Sequence, residues 1–179
     1  MNKILTSIFA LTISISILSC KKDKADSSST YYLTCDINGV SKTFNASTSA
    51  KAESTGGAGE LVWINSSSDN LPPAEQFVIF IENEKGNVAN GSYIDSSLVN
   101  YVGAYYLLAN SKGYPSYTAG NYNPNTSDQE TTPFTVVITS RTATEIKGTF
   151  NGEMLSHDSV DVNIRVTNGK FNLKITNHS

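Results

Sequence analysis

The chain has 179 residues, with 13 basic and 16 acidic side chains for a formal net charge of −3, and only two cysteines and two histidines. That balance carries no basic nucleic-acid footprint, and two cysteines cannot staple a disulfide-rich scaffold. The length suits one domain with a short segment ahead of it.

The first element is a leader. Lys3 forms a short positive region, and Ile4 to Leu18 is an uncharged apolar stretch ending at Ser19-Cys20. This is signal-peptide anatomy; a membrane-spanning helix needs roughly 20 predominantly apolar residues. Residues 1 to 19 are therefore expected to be removed. Their loss takes away only Lys3 and leaves 12 basic and 16 acidic residues among 160, a net charge of −4. Ile17, Ser19 and Cys20 resemble the lipobox of bacterial lipoproteins, and the resemblance implies that Cys20 is acylated. The chemistry suits that residue, since a thiolate can be alkylated by a diacylglyceryl group and two acyl chains hold far more firmly than one. It implies a lipid bilayer as partner and the outer membrane of the cell envelope as location, with the periplasmic or surface-exposed face left open.

Residues 20 to 30 read as the lipidated cysteine and a flexible tether, because Lys21 to Thr30 is charged and Ser-rich and too short to fold. Lys22-Asp23 after the cysteine is similar to the start of Bacteroidota lipoproteins, in which a Lys followed by acidic residues can direct export to the outer surface; here Lys24 stands in place of the second acidic residue.

Residues 31 to 179 read as a single all-β domain. Period-2 alternation recurs, turn residues punctuate it, and no helical period is sustained. Strands are predicted over 31–37, 40–46, 60–65, 76–82, 92–95, 100–109, 116–122, 134–139, 145–154, 160–167 and 170–176. In the first, Tyr31, Leu33, Cys35 and Ile37 share a face, which makes Cys35 a core residue rather than a reactive thiol. Asn-Gly pairs stand at 38, 90, 151 and 168; such pairs favour a two-residue hairpin turn. A turn at Asn38-Gly39 pairs Ile37 with Val40 and Leu33 with Phe44. One at Asn168-Gly169 pairs Val166 with Phe171, Ile164 with Leu173 and Val162 with Ile175. At Asn151-Gly152 the rule would set Phe150 against Glu153, so a bulge within a strand is expected there.

Loops at Ser140 to Thr144 and Leu155 to Ser159 would align Ile138 with Ile146, Phe134 with Phe150, and Phe150 with Ile164. The C-terminus thus reads as a four-stranded meander whose wet face carries Glu145, Lys147, Thr149, Asp161, Asn163, Arg165 and Lys174. Its apolar face needs a cover, which the earlier strands can supply, including the run Phe77 to Ile81 that is apolar on both faces. The expected architecture is an antiparallel β-sandwich, with a closed β-barrel as the alternative. The order Thr34-Cys35-Asp36-Ile37-Asn38-Gly39, then Ile146 to Phe150, then Val166 to Phe171 resembles small uncharacterised Bacteroidota-type lipoproteins. It implies an envelope-anchored β-domain and no reaction.

Catalytic constellations are sparse. His157 stands beside Asp158 in a loop and His178 is penultimate, an arrangement that does not establish a triad. Two histidines and a cysteine lack zinc spacing, so no metal and no cofactor are expected. Glu82 and Glu84 would share a strand face, as paired glycosidase carboxylates do, but they run into Lys85-Gly86-Asn87, a hairpin end. Gly56-Gly57-Ala58-Gly59 lacks the lysine and helix of a phosphate loop. The informative cluster is Tyr101, Tyr105, Tyr106, Tyr114, Tyr117 and Tyr122, with Asn110, Asn121, Asn123 and Asn125. The first three tyrosines are assigned to strand packing. Tyr114, Tyr117 and Tyr122, near Gly113, Pro115, Gly120 and Pro124, are assigned to ligand binding, because a flat ring with a polar tip suits sugars and polar polymers. The expectation is a non-catalytic binding module for a glycan or protein ligand, with a hydrolase built on Glu82, Glu84 or Asp158 as the alternative. The oligomeric state is left open.

Overall fold

The computed structural model describes residues 30–55, 57–71, 73–94, 100–109, 116–120, 132–156 and 162–177. Its strands are β1 (Tyr32–Ile37), β2 (Val40–Phe44), β3 (Ala46–Ser54), β4 (Glu60–Ser67), β5 (Gln76–Asn83), β6 (Gly91–Ile94), β7 (Asn100–Leu107), β8 (Tyr117–Gly120), β9 (Phe134–Arg141), β10 (Glu145–Ser156) and β11 (Ile164–Asn177). The alternation read from the sequence places most of them. The molecule is all-β and sandwich-like.

Pairing runs continuously in the order β2-β1-β11-β3-β4-β5-β7-β8-β10-β9-β6, and β10 also pairs with β11. That extra pairing divides the strands into two layers. One is β2-β1-β11-β10-β9-β6, and the other is β3-β4-β5-β7-β8. The two longest strands serve both. Leu155 and Ser156 at the end of β10 pair with β8, and Ile175 to Asn177 at the end of β11 pair in parallel with β3. Strands that cross between layers make the corners of a sandwich, and here they give it the hydrogen-bonded continuity of a barrel at two corners.

Between the layers lies one core, with Phe44, Phe134, Phe150 and Phe171 from the first and Ile64, Phe77, Ile79 and Ile81 from the second. Phe77 and Phe150 meet across it with ring centroids 5.3 Å apart. Each such buried ring contributes about 1.5 to 3 kcal/mol relative to an exposed one.

The β1–β2 hairpin has the expected register, Ile37 opposite Val40 and Leu33 opposite Phe44. Three expectations are corrected. The strand predicted over 40–46 ends at Phe44, and a separate β3 begins at Ala46; its small residues hide the alternation, although Ala50 and Ala52 face the core. The segment from Ile164 does not turn at Asn168-Gly169. It continues as the 14-residue β11 with an extra residue opposite β10, where Phe150 faces Gly169 and Gly152 faces Val166. The meander is therefore three strands, β9-β10-β11, and β1 occupies the fourth place, its Leu33 opposite Phe171. Val162, expected against Ile175, is 84% exposed. Registers also slip: beside the β9–β10 turn Ile146 faces Arg141 and not Ile138, and an irregularity in β9 takes back one residue of that offset, so that Gly148 faces Ile138 and Phe150 faces Val136, one pleat from Phe134; Ile164 faces Met154, two pleats along from Phe150. Phe134 and Phe150 remain diagonal neighbours, ring centroids 6.1 Å apart. Asn151-Gly152 does lie inside a strand, opposite the bulge.

Candidate functional site

The two outer faces of the sandwich differ in chemistry. On the β1, β10 and β11 side, Thr34, Asp36, Glu145, Lys147, Thr149, Glu153, Arg165, Lys170 and Lys174 are exposed or half-exposed. The side chains expected to face water do so, apart from Asp161, which lies outside the described residues. The bulge is stitched to the β1–β2 turn: Arg165 N donates to Asn38 Oδ1 at 2.8 Å and Asn38 N to Arg165 O at 2.9 Å. A groove of about 620 Å³ here is lined by Asn38, Thr135, Asn151, Glu153, Asn163 and Arg165 among others. Its polar groups partly satisfy one another, as where Asn163 donates to Glu153 at 3.3 Å.

The outer face of β4, β5 and β7 is aromatic. In β5, Phe77, Ile79 and Ile81 point into the core, so Val78, Phe80 and Glu82 point outward. Phe80 is opposite Trp63 on one side and Gly103 on the other. Val78 lies between Asn65 and Tyr105, and Glu82 between Leu61 and Tyr101. Trp63 and Tyr105 each lie 5.6 Å from Phe80 between ring centroids. The Phe80 ring lies over Gly103, where a Cβ would stand 2.0 Å from Phe80 Cζ. A glycine is therefore required beneath it. Phe80 is only 4% exposed although it points away from the core. Trp63, Leu61, Val78, Tyr101 and Tyr105 around it are half-exposed. Lys51 and Glu53, ion-paired with each other, stand opposite Trp63 and Leu61, and Thr118 stands opposite Tyr105. The result is an apolar strip with a polar rim, the composition of a recognition surface rather than a solvated sheet.

The tyrosines divide. Tyr117 stacks on Tyr106 at 6.0 Å and 23° and packs against the core. Tyr106 is 3% exposed, and burial, then the charge of Glu75, raises its phenol well above the ordinary range. Tyr114 and Tyr122 lie outside the described residues, as do Cys20, His157, Asp158 and His178. Glu82 is on the aromatic face, whereas Glu84 sits in the turn after β5, so the two do not share a strand face. Cys35 is 3% exposed, and burial, with Asp36 adding to it, pushes its thiol up to about 12. Gly59 is buried; a Cβ there would meet Thr55 Oγ1 at 2.4 Å and Glu84 O at 2.9 Å, so this glycine serves close packing of two turns.

A smaller pocket of about 340 Å³ lies beside Glu60 and Arg141. Arg141 grips Glu60 with two hydrogen bonds, at 2.5 and 2.7 Å, and also donates to Val88 O, while Val88 N donates to Glu60 Oε2 at 2.7 Å. Burial opposes the Glu60 charge, but these hydrogen bonds and the guanidinium outweigh it and hold its carboxyl below the usual range. The group is a closed clamp between β4 in one layer and β9 in the other. Among the described residues no cluster of three His, Cys, Asp or Glu is placed to hold a metal ion, and no helix is long and apolar enough to cross a membrane.

Compared with protein-family models, with curated proteins and with solved structures, the chain shows no match. The aromatic face escaped the sequence reading because Trp63 and Phe80 meet only once β4 and β5 are known to pair. A signal did exist: Leu61-Val62-Trp63-Ile64, like Phe77 to Ile81, is apolar at both parities, so one parity must face outward.

Proposed function

We propose that the protein is an envelope lipoprotein of the Bacteroidota type, anchored to the outer membrane through acylated Cys20, whose β-domain is a non-catalytic binding module. The anchor reading is supported by Lys3, the apolar run to Leu18 and the lipobox-like Ile17-Leu18-Ser19-Cys20. The observation that carries the binding reading is the half-exposed strip of Trp63, Tyr105, Tyr101, Leu61 and Val78 around Phe80. A sheet face with no recognition role is expected to be polar, as the opposite outer face is.

Two measurements test this. Cys20→Ser moves the protein from the membrane to the soluble fraction and abolishes incorporation of labelled palmitate; an unlabelled wild-type protein removes the anchor. For the domain, Gln76→Cys places a thiol at the next outward position of β5 after Val78, beside the strip and not in it, while the native Cys35 is buried. A small maleimide labels it quickly in purified protein and several-fold more slowly in isolated envelopes, where the ligand covers it. Equal rates in both removes the binding reading.

A further inference from the structure

We propose that the aromatic face is a stacking platform for a polysaccharide chain. The proposal rests on the binding reading above and names its ligand class. A pyranose ring presents C–H groups on its faces and hydroxyls around its edge. Half-exposed aromatic rings meet the first through dispersion and the electron-rich face of the ring, and a rim of polar and charged side chains meets the second. The strip supplies both. Trp63 and Tyr105 flank the buried Phe80, and Lys51, Glu53, Asn65, Glu82 and Thr118 are interleaved with them across the sheet.

Spacing favours a chain over a single sugar. Trp63 is on β4 and Tyr105 on β7, with β5 between them, so the two platforms are separated by two strand spacings, roughly 10 Å. One sugar ring does not bridge that span, and consecutive residues of a polymer do. Phe80, wedged over Gly103, keeps both flanking rings from collapsing onto the backbone, so the platform is formed before ligand arrives.

Charge placement favours a sugar over a protein partner. Glu82 stands in the same row as Leu61 and Tyr101, and Lys51 is opposite Trp63. A protein interface dries its centre and is depleted there in Lys, Glu and Asp, because a carboxylate stripped of water without a partner is costly. A polysaccharide lies along the rings, leaves the rim wet, and can donate a hydroxyl to Glu82.

Trp63 is the sole tryptophan in the chain, so fluorescence reads the platform directly. The intact protein, in a detergent without a sugar headgroup, is titrated with soluble β-glucan, xylan and dextran. The expected result is a saturable spectral change with at least one of them. Tyr105→Ala, which keeps Trp63, weakens the affinity roughly tenfold or more. Trp63→Phe, which preserves the fold by keeping a ring, weakens retardation in affinity electrophoresis through the same polysaccharide. No saturable change with any of the three, or wild-type affinity in both variants, overturns the proposal. If the polysaccharides fail while Gln76→Cys is protected in envelopes, the glycan is wrong and the binding reading stands; if the protection is absent as well, both fall.

Discussion

Asn38-Gly39 and Asn168-Gly169 are the same dipeptide between similar alternating segments, yet the first reverses the chain and the second does not. At 38 and 39 both φ angles are positive, 49° and 79°, as a two-residue hairpin turn requires. At Asn168 φ is 53°, but Gly169 is not in the left-handed region, and β11 runs on to Asn177. A two-residue turn and a one-residue bulge have the same effect on alternation: each flips the parity of the core-facing positions, here from Ile164 and Val166 to Phe171, Leu173 and Ile175. Periodicity cannot separate them. What separates them is the surroundings. A Cβ on Gly39 would meet nothing within 4 Å, while one on Gly169 would lie 2.4 Å from Phe150 O and 2.6 Å from its ring. The long β10 offers partners on both sides of the dipeptide, from Ile164 to Lys174, and those hydrogen bonds override the local turn preference.

Phe150 is where the bulge is most tightly held. Its ring stacks on Phe134 and Phe171 and tilts against Phe77, and Gly169 leaves room for it. Phe150→Ala should cost about 3 to 5 kcal/mol in urea unfolding; a loss below about 1 kcal/mol would place the ring outside the core and remove the reason Gly169 is a glycine. Next comes Gly169→Ala, expected to cost about 2 to 3 kcal/mol because the new methyl meets a backbone carbonyl that cannot move aside cheaply. Gly39→Ala meets no atom and suffers only the left-handed backbone, about 1 kcal/mol. Measured together by thermal denaturation, the two glycine variants should keep that order, and the reverse order would mean that residue 169 is the turn.

Legibility followed the distance over which the information acts. The β1–β2 hairpin could be read to the exact partner because strand, turn and strand are contiguous. β3 could not, because Ala-Ser-Thr-Ser-Ala-Lys-Ala has little hydrophobic contrast and becomes a strand by lying between β4 and the end of β11. The candidate site shows the same limit. Tyrosine density drew attention to residues 101–122, but Tyr101 and Tyr105, expected in strand packing, lie half-exposed on the outer aromatic face. Tyr117 is instead committed to Tyr106 at the core margin, and Trp63 enters only through the pairing of β4 with β5.

The smallest effect is the most specific to the bulge. Asn168 Nδ2 donates to Asp36 Oδ2 at 2.7 Å, and Ser41 Oγ donates to Asp36 Oδ1 at 2.5 Å. The hydrogen bond from Asn168, then that from Ser41, holds the Asp36 carboxyl below its ordinary value. A carboxyl depressed in the folded state adds stability that is present above its unfolded pKa and is lost as pH falls through the lower folded one. Asp36 is exposed, so water screens the contribution, and a titration followed by NMR is the sensitive measurement. Asn168→Gly keeps a residue that accepts positive φ while deleting the amide, so the bulge survives and the hydrogen bond does not. The Asp36 midpoint should then rise toward that of a free carboxylate while the β10–β11 register stays unchanged. Were Asn168 instead at the tip of a hairpin, its amide would have no hold on Asp36, and the midpoint would be the same in both proteins.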